Sequence, residues 1–521
     1  MLRAHPDLSE LALLYTVTTT AMAGAFLCAR VQWRLYLRLP LLALATSLIA
    51  GVLWTILRTT WFPHVAPHAN PRLMVLLEVF HFVVVGTLVG FAATGPRREA
   101  ILKRGTEIRN QSQITGFTSR RRRANAITLA GMTLDALDET KHFKLIGTTG
   151  TGKSTAIREI LQSALDRGDR AIIADPDGSY LERFFEAGRG DLILNPFDTR
   201  SRSWDLFSEL NDEFDVEQLA RALIPDTEGE DRSWRGYART FFTAVTQQLW
   251  GLARTGRHAI TVGELYRVLT MASHEELKIL VRDTPAQSFL EGGNERMFGS
   301  IRSVAASSIA ALQYVARHEG PSLSLRHWIR SAPGHRALFL PYSATQIAAL
   351  RSLISAWLRL TIFETMSGPD RDQRLWFIID ELDALGTIDG LKDALARLRK
   401  FGGRCVLGFQ SIAQVSGTYG HGEAQTIVEN CGNTLVLRCS ASEHGGTARF
   451  ASRLIGDREV IRPHETRSRG PGKWRYARSY SDQHVTEAAV LPSEIEQLPD
   501  LAGYVKLASS PSWCRVSLRR R

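Results

Sequence analysis

The nine residues GTTGTGKST, Gly147 to Thr155, constrain this chain more than any other segment. They fit G-x-x-x-x-G-K-[ST], with the apolar run HFKLI before them and AIREILQSAL after them. The motif works only as strand, loop and helix, and these flanks predict both. Its glycines let backbone N–H groups close around a triphosphate, and the positive end of the following helix faces the anion. Lys153 then reaches the β- and γ-phosphates, and the Ser154 hydroxyl binds Mg²⁺. The cradle comprises Gly147, Thr148, Thr149, Gly150, Thr151, Gly152, Lys153, Ser154 and Thr155. A plain glycine loop is the alternative, and the flanks weigh against it.

A second segment, RLWFIIDELDALG from Arg374 to Gly386, is an apolar run ending in Asp380 and Glu381. Buried parallel strands read as continuous apolar segments, and ligands lie at their carboxyl ends. Asp380 is therefore expected to hold Mg²⁺ through its water shell, and Glu381 to orient or deprotonate an attacking water. Together the two segments predict hydrolysis of a nucleoside triphosphate. An edge strand ending in a charged turn is the bland alternative.

The first hundred residues are of a different kind. Leu11–Ala29 and Leu39–Leu57 are each 19 residues long, and Leu73–Thr94 is 22. Such lengths match the hydrocarbon core of a bilayer at 1.5 Å rise per residue. A cleaved signal peptide fits poorly, because two further runs follow the first. Arg30, Arg34 and Arg38 lie between the first two runs, and Arg97, Arg98, Lys103 and Arg104 follow the third. The positive-inside rule puts both groups in the cytoplasm. Two spans, with the first run lying in the interface, remain an alternative to three. The five cysteines form no C-x-x-C pair and read as reduced thiols.

The net charge of +11 is unevenly spread. Residues 97–123 hold nine Arg or Lys, including Arg120–Arg123, against two acids. Two compatible readings fit: a topology anchor drawn to anionic lipid, or a basic collar around an anionic polymer. A second cluster, RPHETRSRGPGKWRYARSY, interleaves six basic residues with Trp474, Tyr476 and Tyr480. Cations for phosphates beside rings for bases suit single-stranded nucleic acid, although its Gly-Pro-Gly equally suits an exposed hairpin turn.

Along the rest of the chain, ANAITLAGMTL reads as a hairpin, RAIIADPDGSY as a strand ending in a turn, and DLILNPFDTRSRSWDLF as another short strand. From about Phe207 to Ser324, helical apolar spacing replaces strand signals. Strand and helix alternation then resumes with HRALFLPYS, Thr345–Met366, the strand of Asp380, Leu391–Arg399, CVLGFQS, TLVLRCS and GYVKLAS. The predicted fold is α/β: a RecA-like P-loop ATPase domain with an inserted all-α domain, preceded by a transmembrane helical anchor. The expected boundaries are 1–100 for the anchor, 101–206 and 325–521 for the two parts of the nucleotide-binding domain, and 207–324 for the all-α domain.

Seven elements in order resemble the type IV coupling proteins of conjugation and type IV secretion, the TraD/TrwB/TraG group. They are GTTGTGKS, the DPDG turn, NPFDTRSRSWDLF, DELDALG, GFQS, YGHGEAQTIVENCGNTLVLR and LPSEIEQLPDLAGYVKLA. The resemblance covers nearly all of the chain after the apolar runs, although that group more often looks two-span. It implies a homo-hexameric ring on a stem in the bacterial inner membrane, with ATP and Mg²⁺ bound between subunits and the ATPase in the cytoplasm. Its implied partners are single-stranded DNA with its relaxase and the components of a type IV secretion channel. Gln410 would sense the γ-phosphate; a plain surface glutamine is the alternative. Arg399, ending LARLRK, would reach the neighbour's nucleotide as an arginine finger, although Arg397, Lys400 and Arg404 are close by. Asp175 and Asp177 are expected to shape their turn. Trp234 faces either a channel entrance or the core. The rival functions are an FtsK/HerA-like translocase of double-stranded DNA and a receptor for protein substrates.

Overall fold

The computed structural model describes residues 8–28, 36–65, 70–94, 101–111, 125–226, 231–255, 260–331, 334–368, 374–442, 445–468 and 477–519. These form two compact units, residues 1–101 with 461–484 and residues 102–460 with 485–521.

The first unit contains helices α1 (Leu8–Cys28), α2 (Leu39–Ile56) and α3 (Pro71–Thr94). A π-helical turn, Leu57–Trp61, prolongs α2. Mean hydropathies of 1.6, 2.0 and 2.2 over Ser9–Cys28, Leu39–Trp61 and Pro71–Ala93 make all three long and apolar enough to cross a membrane. Leu41, Leu48, Leu76 and Phe80 are each at least 64% exposed. A surface of that kind is costly in water and matched in hydrocarbon. The three helices correspond to the three apolar runs and are consistent with a membrane anchor. The basic residues invoked for orientation and for the collar, Arg30, Arg34, Arg97, Arg98 and Arg120–Arg123, lie outside the described residues. Lys103 and Arg104 pair with Glu459.

The second unit is built on a ten-stranded sheet. Its strands are β1 (Ile108–Asn110), β2 (Phe143–Ile146), β3 (Arg170–Pro176), β4 (Leu192–Ile193), β5 (Ala337–Tyr342), β6 (Leu375–Ile379), β7 (Gly403–Phe409), β8 (Asn433–Val436), β9 (Ala502–Lys506) and β10 (Trp513–Ser517). Their spatial order is β1-β10-β9-β8-β2-β7-β6-β3-β5-β4. The seven strands from β8 to β4 are parallel, and β9 runs antiparallel to both β8 and β10. β2, β6 and β7 are buried at every position, because helices cover both faces of the sheet. Alternate residues therefore enter two cores. Trp376 and Ile378 face helix α4 (Lys153–Asp166), while Phe377 and Ile379 share the opposite core with the other helices.

Between Ser203–Trp204 and Ser322–Leu323 the described chain is helical: α5 (Glu213–Leu223), α6 (Asp231–Arg254), α7 (Val262–Met271), α8 (His274–Leu280), α9 (Glu295–Ser308) and α10 (Leu312–Arg317). The two short strands pair in parallel where this segment leaves and rejoins the sheet domain. That junction is well tied. Glu209 accepts hydrogen bonds from Trp204 Nε1 and from the Leu325 and Arg326 amides, and the Trp204 ring meets Trp357 edge-on at 5.8 Å. A capping box of Asp212 and Asp215 starts α5. Helices α11 (Ile347–Ser367) and α12 (Leu391–Leu398) complete that side of the sheet.

Candidate nucleotide-binding site

The fully buried strand β2 lifts the chain to Gly147, and α4 begins at Lys153. Between them the loop turns through Gly150 and Gly152, whose φ angles of 78° and 117° are disfavoured for any residue with a Cβ. Thr151 Oγ1 donates to Thr148 O at 2.7 Å, and the Thr148 amide donates to Arg438 O at 2.9 Å. From the C-terminal part of the chain, the Leu501 amide donates to Thr151 O at 2.9 Å. No side chain caps α4 at Gly152, so its first amides remain available to an anion.

The sequence-predicted side chains converge on this loop. Lys153, only 6% exposed, donates from Nζ to Gly147 O at 2.8 Å. Burial pushes its pKa below the usual lysine value, against the opposing pull of Asp380 and Glu381. Ser154 Oγ donates to Asp380 Oδ2 at 2.7 Å. Asp380 Oδ1 is buried and has no hydrogen-bond partner among the described residues. A half-buried hydroxyl beside an unpaired carboxylate oxygen is the hard-oxygen donor set that Mg²⁺ takes, so these two residues can hold the ion. Thr155 lies half-buried in the first turn of α4.

Glu381 follows Asp380 and is half-buried. Desolvation raises its carboxyl pKa above 4.5, the Asp380 charge adds to this, and a hydrogen bond from Gln410 opposes it. That bond, Gln410 Nε2 to Glu381 Oε1, measures 3.0 Å. On its other side, Gln410 Oε1 accepts from Thr149 Oγ1 at 3.1 Å. Gln410 thus bridges the loop and the carboxylate strand. Topology permits this because β7, which ends just before Gln410, stands between β2 and β6. The close fit of β7 on β6 has a local cause. A Cβ on Gly408 would collide with the Asp380 carbonyl oxygen.

Arg399 is not part of this cluster. It is exposed, just after α12 and before β7 begins at Gly403. The seven residues of β7 at about 3.3 Å each put it roughly 20 Å from the Gln410 end. Asp175 is fully buried and shapes its turn as expected, accepting hydrogen bonds from the Tyr180 and Leu181 amides. Asp177 adopts a left-handed φ of 59° in the same turn. Trp234 is 37% exposed and meets Tyr237 edge-on, so it is not a core tryptophan. Only the two ends of the basic and aromatic cluster lie on strands, Asp457–Ser468 and Ala477–Ala488; its middle, residues 469–476 with Trp474 and Tyr476, lies outside the described residues.

Sequence reasoning missed Tyr180. Its hydroxyl donates to Asp380 Oδ2 at 2.7 Å, on the oxygen that Ser154 also binds. The signal was only indirect: the DPDG turn sends the chain straight back over the carboxyl end of the sheet.

A P-loop on a parallel sheet, with a carboxylate strand one position removed from the loop strand, defines the RecA-like P-loop ATPase class. Residues 126–519 match the family model of the type IV secretion-system coupling protein DNA-binding domain. The chain belongs to that family. It is 32% identical to the coupling protein TraD of Escherichia coli K12 over 387 residues, covering 73% of this chain and 53% of TraD. The type IV secretion system-coupling protein VirD4 of Bartonella quintana is 22% identical over 337 residues, covering 59% of this chain and 51% of VirD4. The chain therefore spans about half the length of these curated relatives. Among solved structures, the unbound conjugative coupling protein TrwBΔN70 matches with a TM-score of 0.72 at 31% identity, covering 82% of this chain and 95% of TrwBΔN70. TrwB in complex with ADP and Mg²⁺ matches with a TM-score of 0.71 at 31% identity, covering 82% and 96%.

Proposed function

We propose that this chain is the ATPase of a conjugative coupling complex. It sits in the bacterial inner membrane as a homo-hexamer and drives a relaxase-bound single DNA strand into a type IV secretion channel. The observation that carries this reading is the continuous link Thr149–Gln410–Glu381, next to Ser154–Asp380, in a chain of the coupling-protein family. The TrwB complexes with ADP and Mg²⁺ and with the ATP analogue ADPNP support ATP and Mg²⁺ as its ligands.

Lys153 leaves the Gly147 carbonyl to bind the β- and γ-phosphates, and the amides from Gly150 to Thr155 close around them. Ser154 and Asp380 hold Mg²⁺, which supplies positive charge against the phosphate oxygens. Glu381, its basicity raised by burial, orients the attacking water and takes its proton. Gln410 reports the presence of the γ-phosphate from the loop to β7. Arg399 serves the nucleotide of the adjacent copy, which agrees with its exposure away from its own loop. The anchor is residues 1–100, the nucleotide-binding domain is residues 101–206 and 325–521, and the helical domain is residues 207–324. The motor faces the cytoplasm, where ATP is.

The test is ATP turnover by the full chain in lipid nanodiscs, with and without single-stranded DNA, beside Lys153→Ala and Glu381→Gln. Stimulation by single strands is expected. Lys153→Ala should lose nucleotide binding, and Glu381→Gln should bind nucleotide but turn over about 10²–10⁴-fold more slowly. Stimulation by duplex DNA alone would indicate a double-strand translocase. Turnover indifferent to any DNA would indicate a receptor for protein substrates.

A further inference from the structure

Asp380 is held from a side that none of the motif residues occupies. The strand β3 ends in the buried carboxylate of Asp175, and the chain turns at Asp177 and Gly178 into the short helix Ser179–Phe184. Asp175 fixes the start of that helix by accepting the amides of Tyr180 at 3.0 Å and of Leu181. Anchored this way, the Tyr180 ring is fully buried, with the Arg158 guanidinium 5.8 Å from its centroid. Its hydroxyl can do little but point at Asp380, and it donates to Oδ2 at 2.7 Å.

Two donors, Ser154 Oγ and Tyr180 O–H, therefore share one carboxylate oxygen, while Oδ1 is buried with no partner among the described residues. That division sets the orientation of the carboxylate. Ser154 belongs to the first turn of α4 and would be needed by the ion; Tyr180 belongs to a different element and would not. With Tyr180 in place, Oδ2 would keep a donor when the Ser154 oxygen serves as a ligand, which would leave Oδ1 available to a bound ion. Groups that orient a ligating carboxylate in this way typically contribute 10- to 100-fold in metal affinity.

We propose that Tyr180 is a positioning residue for Mg²⁺: its hydroxyl, aimed by the Asp175 turn, holds the Asp380 carboxylate with Oδ1 free for the nucleotide-bound ion. This rests on the ATPase reading, and one experiment separates the two. The full chain in detergent is loaded with ADPNP, and Mn²⁺ standing in for Mg²⁺ is titrated by electron paramagnetic resonance. Wild type, Tyr180→Phe and Tyr342→Phe are compared. Tyr342 is the control, because its hydroxyl is also buried but makes no hydrogen bond among the described residues.

Tyr180→Phe is expected to need about ten-fold more Mn²⁺, with ADPNP affinity in EDTA and the melting temperature unchanged. Tyr342→Phe is expected to titrate like wild type. Wild-type Mn²⁺ affinity in Tyr180→Phe would overturn the assignment, as would equal losses in both variants, which would mean general loosening. A wild-type protein showing no nucleotide-dependent Mn²⁺ binding would bring down the ATPase reading itself, and this assignment with it.

Discussion

His142 occupies the residue before β2 with both ring nitrogens committed. Nδ1 accepts the Cys405 amide at 3.0 Å, and Nε2 lies 2.9 Å from Leu395 O, to which it donates. This is a neutral imidazole, and a proton on Nδ1 would break the bond from Cys405. Burial pushes its pKa down from 6.5 to about 4. The unfolded chain therefore binds more protons than the native state between those values, so stability is full above pH 6.5 and is lost as pH falls toward 4. A shift of that size corresponds to a loss of about 3 kcal/mol. Denaturant melts of the wild type at a series of pH values should slope downward across that window, and His142→Asn should be less stable at pH 7 with a flatter slope. Residues of this kind were illegible in the sequence. Lys153, Ser154 and Asp380 are announced by local motifs, whereas the roles of His142 and Tyr180 depend on partners hundreds of positions away, Tyr180 on Asp380 and His142 on Leu395 and Cys405.

At the scale of elements, the sheet is a stack of strands whose spacing decides where the carboxylates stand. Gly408 is the tightest such contact at the site, against the Asp380 backbone. Gly408→Ala forces β6 and β7 apart and should destabilise the protein by about 1–3 kcal/mol. Because the displaced atom belongs to Asp380, turnover should fall further than the loss of folded protein explains; a denaturant melt measured beside a turnover assay separates the two effects. The central strands were legible because burial on both faces writes them as unbroken apolar runs. The edge was not. Trp513–Ser517 alternates, with Arg515 and Ser517 exposed, and Ile108–Asn110 is only three residues long, so neither stands out from a loop. The helical segment was readable from its 3.6-residue period. The short parallel pair that closes its base was not, since two residues make no pattern.

For the whole molecule, Arg399 argues for a shared site. It lies at the opposite end of β7 from Gln410, out of reach of its own P-loop, and is exposed. If it completes a neighbour's site, Lys153→Ala and Arg399→Ala will each abolish turnover alone. Mixed rings of the two variants will regain a fraction of it, because some interfaces then combine an intact loop with an intact arginine. Mixtures without recovery would assign Arg399 a role within its own subunit. The anchor and the presence of a nucleotide site were readable from composition and motif. The separation of Arg399 from its own loop was not, because it depends on which end of β7 each residue occupies.

The P-loop leans on residues that come far later in the chain. Leu501 donates its amide to Thr151, Leu518 donates in turn to Leu501, and the side chains of both crowd Gly152. The phosphate cradle therefore has no backing of its own: a segment some hundreds of positions further on must fold beside it before the loop is held in shape, so damage at the far end of the sheet reaches the P-loop without touching its motif.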